Sequence, residues 1–238
     1  MFRKIKKKYK SFLKTSFMIS DFEGDSYDYE ILESAVKRLH NPTGASFEIG
    51  VRMGMGSKVI IDSYRKYHPN VNNVTHIGLD PYGDLPYNFS EIRKNEKSNY
   101  TDLMKRLTII NFLKKYPEFH FVNLDTYEFF KRFDDGYPIY NKQKKIIDKF
   151  EIVHFDGLHD LDNVTLETEY FLKHLNDQSI FIYDDIDTFN IKKIYKLLEN
   201  KGFKKLESKE RKVSFEYNKI NSLWYEFFLI LLSELFVN

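Results

Sequence analysis

The 238-residue sequence contains no cysteine. Disulfides, thiolate metal sites and a cysteine nucleophile are therefore excluded, and a reducing, cytoplasmic setting is expected. Charge of one sign is missing as well: 37 Lys and Arg face 35 Asp and Glu, for a net +2. No whole-chain field argues for a specific nucleic-acid partner. No apolar run reaches the ~20 residues of a membrane span. The longest, from Leu223 to Val237, is broken by Glu226 and Glu234 and suits an end helix packed on the domain or on a second subunit. Internal repeats and low-complexity linkers are also lacking.

What is present is one globular domain's worth of chain with strand-like and helix-like runs in alternation. Lys4, Lys6, Lys7, Lys8, Lys10 and Lys14 crowd a basic extension over residues 1–20, which lacks the apolar centre of a secretory signal and reads as solvated. A domain over 21–220 and the apolar helix over 221–238 follow. Within the domain, strands are predicted at 47–49, 74–79, 119–124, 152–155 and 179–183. Helices are predicted at 57–67, 101–116, 127–133, 161–175 and 191–200, and two late runs, 203–207 and 212–217, suit an antiparallel pair. Such alternation predicts a doubly wound α/β domain with a mainly parallel sheet, whose ligands lie beyond the carboxyl ends of the strands. Residues 81–100 form a long loop of the kind that serves as a lid.

The strand ends carry the chemistry. After the first strand comes Glu48-Ile49-Gly50-Val51-Arg52-Met53-Gly54-Met55-Gly56-Ser57. Its glycines let the backbone approach a ligand, but their spacing is neither that of a dinucleotide site nor that of a phosphate-cradling loop. Glu48 would repel a pyrophosphate and suits a cationic ligand; a plain tight turn is the bland alternative. The second strand ends at Asp80-Pro81, where a carboxylate can take ribose hydroxyls or merely start a turn. The third ends at Asp125-Thr126, a contact to an adenine amino group or a helix cap. The fourth and fifth end in Asp156-Gly157-Leu158-His159 and Asp184-Asp185-Ile186-Asp187. Three converging carboxylates repel unless a cation such as Mg²⁺ joins them, although Asp184 and Asp187 could simply cap the next helix.

Residues 46–187 resemble the class I S-adenosylmethionine-dependent methyltransferases, in particular the metal-dependent O-methyltransferase group with macrolide-sugar O-methyltransferases and cephalosporin-hydroxylase-like proteins. The likeness runs through Phe47-Glu48-Ile49-Gly50-Val51-Arg52, Ile77-Gly78-Leu79-Asp80-Pro81-Tyr82-Gly83, Phe155-Asp156-Gly157-Leu158-His159 and Tyr183-Asp184-Asp185. It departs at Leu175-Asn176-Asp177-Gln178-Ser179, where relatives carry a Pro-Gly-Gly turn. The resemblance implies a Rossmann-like fold and a cofactor site built from Glu48, Gly50, Val51, Arg52, Gly54, Gly56, Ser57, Asp80, Pro81, Asp125 and Thr126. It further implies Mg²⁺ or another divalent cation on Asp156, Asp184 and Asp185, with His159 as general base. The implied acceptor is a small molecule, such as a sugar, whose pocket the loop 81–100 and residues 134–147 would shape. A nicotinamide-dependent oxidoreductase, a non-catalytic binding protein on the same fold and a metal-independent methyltransferase stand as alternatives.

Overall fold

The computed structural model describes Phe22, Gly24 and residues 26–85 and 100–219. The basic extension, most of the proposed lid loop and the apolar C-terminal helix lie outside the described residues. Among those described, no helix is long and apolar enough to cross a membrane.

The described residues form six helices and nine strands in chain order: α1 (Glu30–Arg38), β1 (Ala45–Ile49), α2 (Met55–Tyr67), β2 (Thr75–Leu79), α3 (Asp102–Lys115), β3 (Phe119–Val122), α4 (Thr126–Arg132), β4 (Tyr137–Asn141), β5 (Gln143–Ile147), β6 (Phe150–Phe155), α5 (Leu161–Lys173), β7 (Leu175–Tyr183), α6 (Ile191–Asn200), β8 (Lys204–Ser208) and β9 (Val213–Asn218). Seven strands form one sheet in the order β3-β2-β1-β6-β7-β9-β8. The first five run parallel, and β9 and β8 close the edge antiparallel. The Rossmann-like methyltransferase fold is therefore present, with the expected antiparallel pair at its C-terminal edge. Strand order reverses at β1, so a crevice opens over the carboxyl ends of β1 and its neighbours.

Helices on both faces explain why β1, β2 and β6 are buried along their whole lengths. One face packs Phe47, Val153, Phe155, Phe171 and Phe181 into the main aromatic core. The other buries Ile152, Ile180 and Ile182 beneath α1 and α2. Helix α1 was not anticipated. Its Ile31, Leu32, Ala35 and Val36 make one apolar stripe at helical spacing, with Glu30 and Glu33 in its first turn and Lys37 and Arg38 in its last.

Two further differences have local causes. Strand β7 starts at Leu175 rather than 179, because nothing in Leu175-Asn176-Asp177-Gln178 breaks an extended chain; it pairs back to Phe150 across a register irregularity. Residues 134–147, expected to shape the acceptor pocket, instead hold the β4–β5 hairpin. Its Ile139, Tyr140, Asn141, Gln143 and Lys145 share a groove with Thr75 and His120, near the amino ends of β2 and β3. That is the edge of the sheet away from the strand ends where ligands bind, so this expectation is corrected.

Candidate active site

Beyond β1 the chain turns sharply. Gly50 has φ +82°, and a Cβ there would stand 1.9 Å from the carbonyl oxygen of Asp156. Arg52 also takes a positive φ of 47°, and Gly54 one of 83° before α2 begins. The turn is moored by Asp80: its Oδ2 accepts the N–H groups of Val51 and Arg52 at 3.0 Å each, and its Oδ1 that of Tyr82 at 3.0 Å. Burial pushes the Asp80 carboxyl up to about 6, against the pull of those three N–H bonds. Asp80 thus fixes the shape of the glycine loop in addition to facing the crevice.

A pocket of about 300 Å³ opens there, among Ile49, Gly50, Asp80, Pro81, Leu124 and Asp125, and extends to Thr126, Gly157, Leu158 and Glu167. That size lies at the lower end for small-molecule sites, and the walls are mostly apolar with a few polar groups. Five of the expected cofactor residues line it: Gly50, Asp80, Pro81, Asp125 and Thr126. Asp125 also caps α4, accepting the N–H of Glu128 at 2.8 Å, so cap and pocket wall coincide in one residue.

Glu48 is placed differently. It is buried and turned away from that pocket, with its Oε1 2.8 Å from His154 Nδ1 and its Oε2 accepting the Ser57 hydroxyl. His76 Nε2 lies 2.9 Å from the same hydroxyl. A Cβ on Gly56 would come within 2.0 Å of Glu48 Oε1, so Gly56 makes room for this carboxylate rather than for a ligand. Burial acts to raise the Glu48 carboxyl, but His154 and His76 together hold it down at about 2. Glu48, Gly56 and Ser57, expected at the cofactor, are not among the residues lining this pocket; Glu48 bonds to Ser57 and His154, and His76 meets the Ser57 hydroxyl. Val51 and Arg52 reach the site through backbone N–H groups, and Gly54 packs its bare Cα against the Phe112 ring.

The acidic strand ends do converge. His159 Nε2 stands 3.3 Å from Asp185 Oδ2 and 3.7 Å from Asp156 Oδ1, with side-chain exposures of 3% for His159, 5% for Asp185 and 25% for Asp156. Burial is the main force drawing the His159 ring down to about 4; Asp184 opposes it, and Lys212 and Arg211 reinforce it. The neutral ring is its resting form. Asp185 holds a left-handed φ of 49°, a local strain of a kind that gathers at functional sites. Two cations absent from the sequence-based site complete the cluster. Lys212, fully buried, binds Asp184 Oδ2, which also accepts the Ser26 hydroxyl at 2.9 Å, while Asp184 Oδ1 takes the N–H of Asp185 at 2.7 Å. Arg211 binds Asp185 Oδ1.

Arg211 and Lys212 carry no sign of this role in sequence, where Lys212 simply opens the predicted run 212–217. The signal that finds them is register: β9 pairs Val213 with Tyr183, which brings the residue before Val213 to the residue after Tyr183.

A doubly wound sheet with this strand order, a glycine turn over β1 and acidic strand ends defines a class I S-adenosylmethionine-dependent methyltransferase. The family model for the methyltransferase domain matches residues 47–186, more than half of the chain, and the chain belongs to that family. Among solved structures, the O-methyltransferase from Bacillus cereus in complex with S-adenosylhomocysteine aligns at a TM-score of 0.52 and 11% identity, over 87% of this chain and 89% of that one. A Corynebacterium glutamicum protein aligns at 0.53 and 10% identity, over 82% of each chain. The calicheamicin methyltransferase CalS11 aligns at 0.50 and 15% identity, over 79% of this chain and 77% of that one. At such identities these likenesses concern the fold. A search of curated protein sequences finds no match.

Proposed function

We propose that the chain transfers the methyl group of S-adenosylmethionine to a hydroxyl of a small molecule, a sugar being the favoured class, with His159 as general base. The observation that carries this reading is the placement of His159 between Asp156 and Asp185, two residues beyond the Gly157 that walls the pocket. Two structural neighbours, by their printed names an O-methyltransferase bound to S-adenosylhomocysteine and a calicheamicin methyltransferase, are in keeping with it.

When bound, the sulfonium supplies an electrophilic methyl group. The residues of this chain must then hold an alcohol in line and take its proton as the new bond forms. His159 is neutral at rest and able to accept that proton. The imidazolium so formed lies against Asp185 and Asp156, and Asp184 offsets part of the burial that disfavours its charge. Asp156, the most exposed carboxylate of the cluster, is the one placed to meet the acceptor.

The Mg²⁺ expected on Asp156, Asp184 and Asp185 meets a donor set that does not fit it. Lys212 and Arg211 already occupy two of the three carboxylates, and a dication beside a buried ammonium would be repelled. Glu48, His154 and Asp156 also bring one ligand atom each within 4.8 Å of one another, but Glu48 and His154 are bonded to each other there.

Incubation with S-adenosylmethionine and a panel of nucleotide sugars, simple glycosides and phenols, read by mass spectrometry for a methyl gain, tests the reading. A gain on a sugar hydroxyl supports it. Methylation confined to amines or carboxylates would sink it, and binding of the cofactor without turnover on any acceptor would favour the non-catalytic alternative. The apolar run Leu223–Val237 is proposed to cover the domain or join two copies; a chain ending at Ser222 that kept its mass in solution and its melting temperature would refute that.

A further inference from the structure

Glu167 has unusual surroundings. It lies in the second turn of α5 on the stripe with Val164, Thr168 and Phe171 that faces the core, where an apolar side chain would ordinarily sit. The residue is 2% exposed, and its Oε2 has no hydrogen-bond partner among the described residues. Burial, reinforced by the nearby Asp160, pushes its carboxyl well above the ordinary range. An unpaired buried carboxyl is costly, and no packing role requires one. One side of it is open to a ligand, however, since Glu167 lines the pocket next to Gly157. A Cβ on Gly157 would stand 3.7 Å from Glu167 Oε1, an ordinary van der Waals distance, so the carboxyl lies next to the backbone of the Gly157 turn.

We propose that Glu167 recognises the adenine base of the cofactor, offering one donor and one acceptor to the edge that carries the amino group and a ring nitrogen. This rests on the chain binding S-adenosylmethionine and extends that reading to a particular residue. A neutral carboxyl has one O–H to give and one oxygen to accept with. That is the complement by which Asn and Gln side chains recognise adenine. Apolar walls from Pro81, Leu85, Leu124 and Leu158 suit a flat base. The other acids of the pocket already hold backbone partners, Asp80 three N–H groups and Asp125 the N–H that caps α4. Among its buried polar side chains, Glu167 is the one left with an unpaired oxygen. An unsubstituted purine base, which keeps the ring nitrogen but lacks the amino group, leaves the accepting oxygen of the carboxyl unpaired.

Calorimetric titration of the full chain with S-adenosylhomocysteine and with its analogue bearing an unsubstituted purine base tests this, alongside melting of the unliganded protein. The wild type should favour the adenine compound by about tenfold or more, the cost of leaving a buried polar group unpaired. Glu167→Gln keeps a donor and an acceptor and should hold adenine affinity within about threefold, whereas Glu167→Leu should lose about tenfold and most of the discrimination. The leucine variant should melt no lower than the wild type, because the unpaired carboxyl contributes nothing to the unliganded core. Equal wild-type affinity for the two compounds would overturn the proposal without recourse to any variant. So would a folded Glu167→Leu that still discriminates, which would leave the carboxyl a structural acid. Failure of the wild type to bind S-adenosylhomocysteine at all would instead strike at the cofactor reading itself.

Discussion

Lys212 sets its ammonium on the carboxylate of Asp184 with neither side chain more than 1% exposed. The pairing follows from strand register, because β7 and β9 run antiparallel with Tyr183 opposite Val213. The acids at the end of β7 are thus met by cations from the turn between β8 and β9.

The first consequence concerns metal. With two carboxylates neutralised from within, methyl transfer is expected to continue in a chelator and to gain little from added Mg²⁺ or Mn²⁺. A catalytic metal supplies several kcal/mol, so its removal from a dependent enzyme would be plain in the initial rate. Loss of turnover in chelator, restored by Mg²⁺, would show that Lys212 and Arg211 give way to an ion.

The second concerns folding. Lys212→Met removes the cation and leaves Asp184 charged in a dry site, which should cost about 3–5 kcal/mol in denaturant unfolding. Adding Asp184→Asn should recover much of that loss, because an amide needs no counter-charge. A single variant as stable as the wild type would mean that water reaches the pair.

His159 should control the rate through a low-lying ring. Its value of about 4 predicts a turnover, at saturating cofactor, that is flat from neutral pH down to mildly acidic pH and falls only near that value. His159→Ala should slow turnover by ~10²–10⁴-fold, with partial recovery at high pH. The stability sign follows from linkage: the unfolded ring binds a proton below about 6.5 and the folded ring only near 4. Stability contributed by the neutral ring is therefore present above 6.5 and lost as pH falls toward 4. An acid limb of turnover at pH 6.5 would place the ring in water.

Asp80 should matter for both loop and cofactor. Asp80→Asn replaces an oxygen that accepts with an amide group that donates, setting it against backbone N–H groups. Binding of S-adenosylhomocysteine should weaken by roughly 1–3 kcal/mol, together with a lower melting temperature. Weaker binding with an unchanged melting temperature would assign Asp80 to the ligand alone.

Much of this was legible in sequence because it depends on strand ends. Asp80, Asp125, Asp156 and Asp185 follow runs whose alternation with helices dictates a parallel sheet, and a parallel sheet gathers such residues at one edge. The bonds of Glu48 were not legible, because a residue's place before a glycine does not tell which way its side chain points; the two histidines beside it come from β2 and β6. Lys212 and Glu167 stayed hidden for related reasons. A charged residue beside an apolar strand, or on the inner stripe of a helix, declares its partner only once the elements are packed. Helix α1 was passed over because it precedes the first strand and lies outside the alternating pattern.

The contact between Gly50 and the Asp156 carbonyl bears on precision. With no side chain separating the two backbones, the segment that shapes the cofactor pocket and the segment that presents the acid to the acceptor are wedged together as a single rigid piece. Any shift of one donor site would carry the other with it, so the distance between methyl donor and acceptor is set by backbone thickness rather than by side-chain conformation. Even Gly50→Ala, a change of one methyl group, should spread the two segments and lengthen the path the methyl must travel.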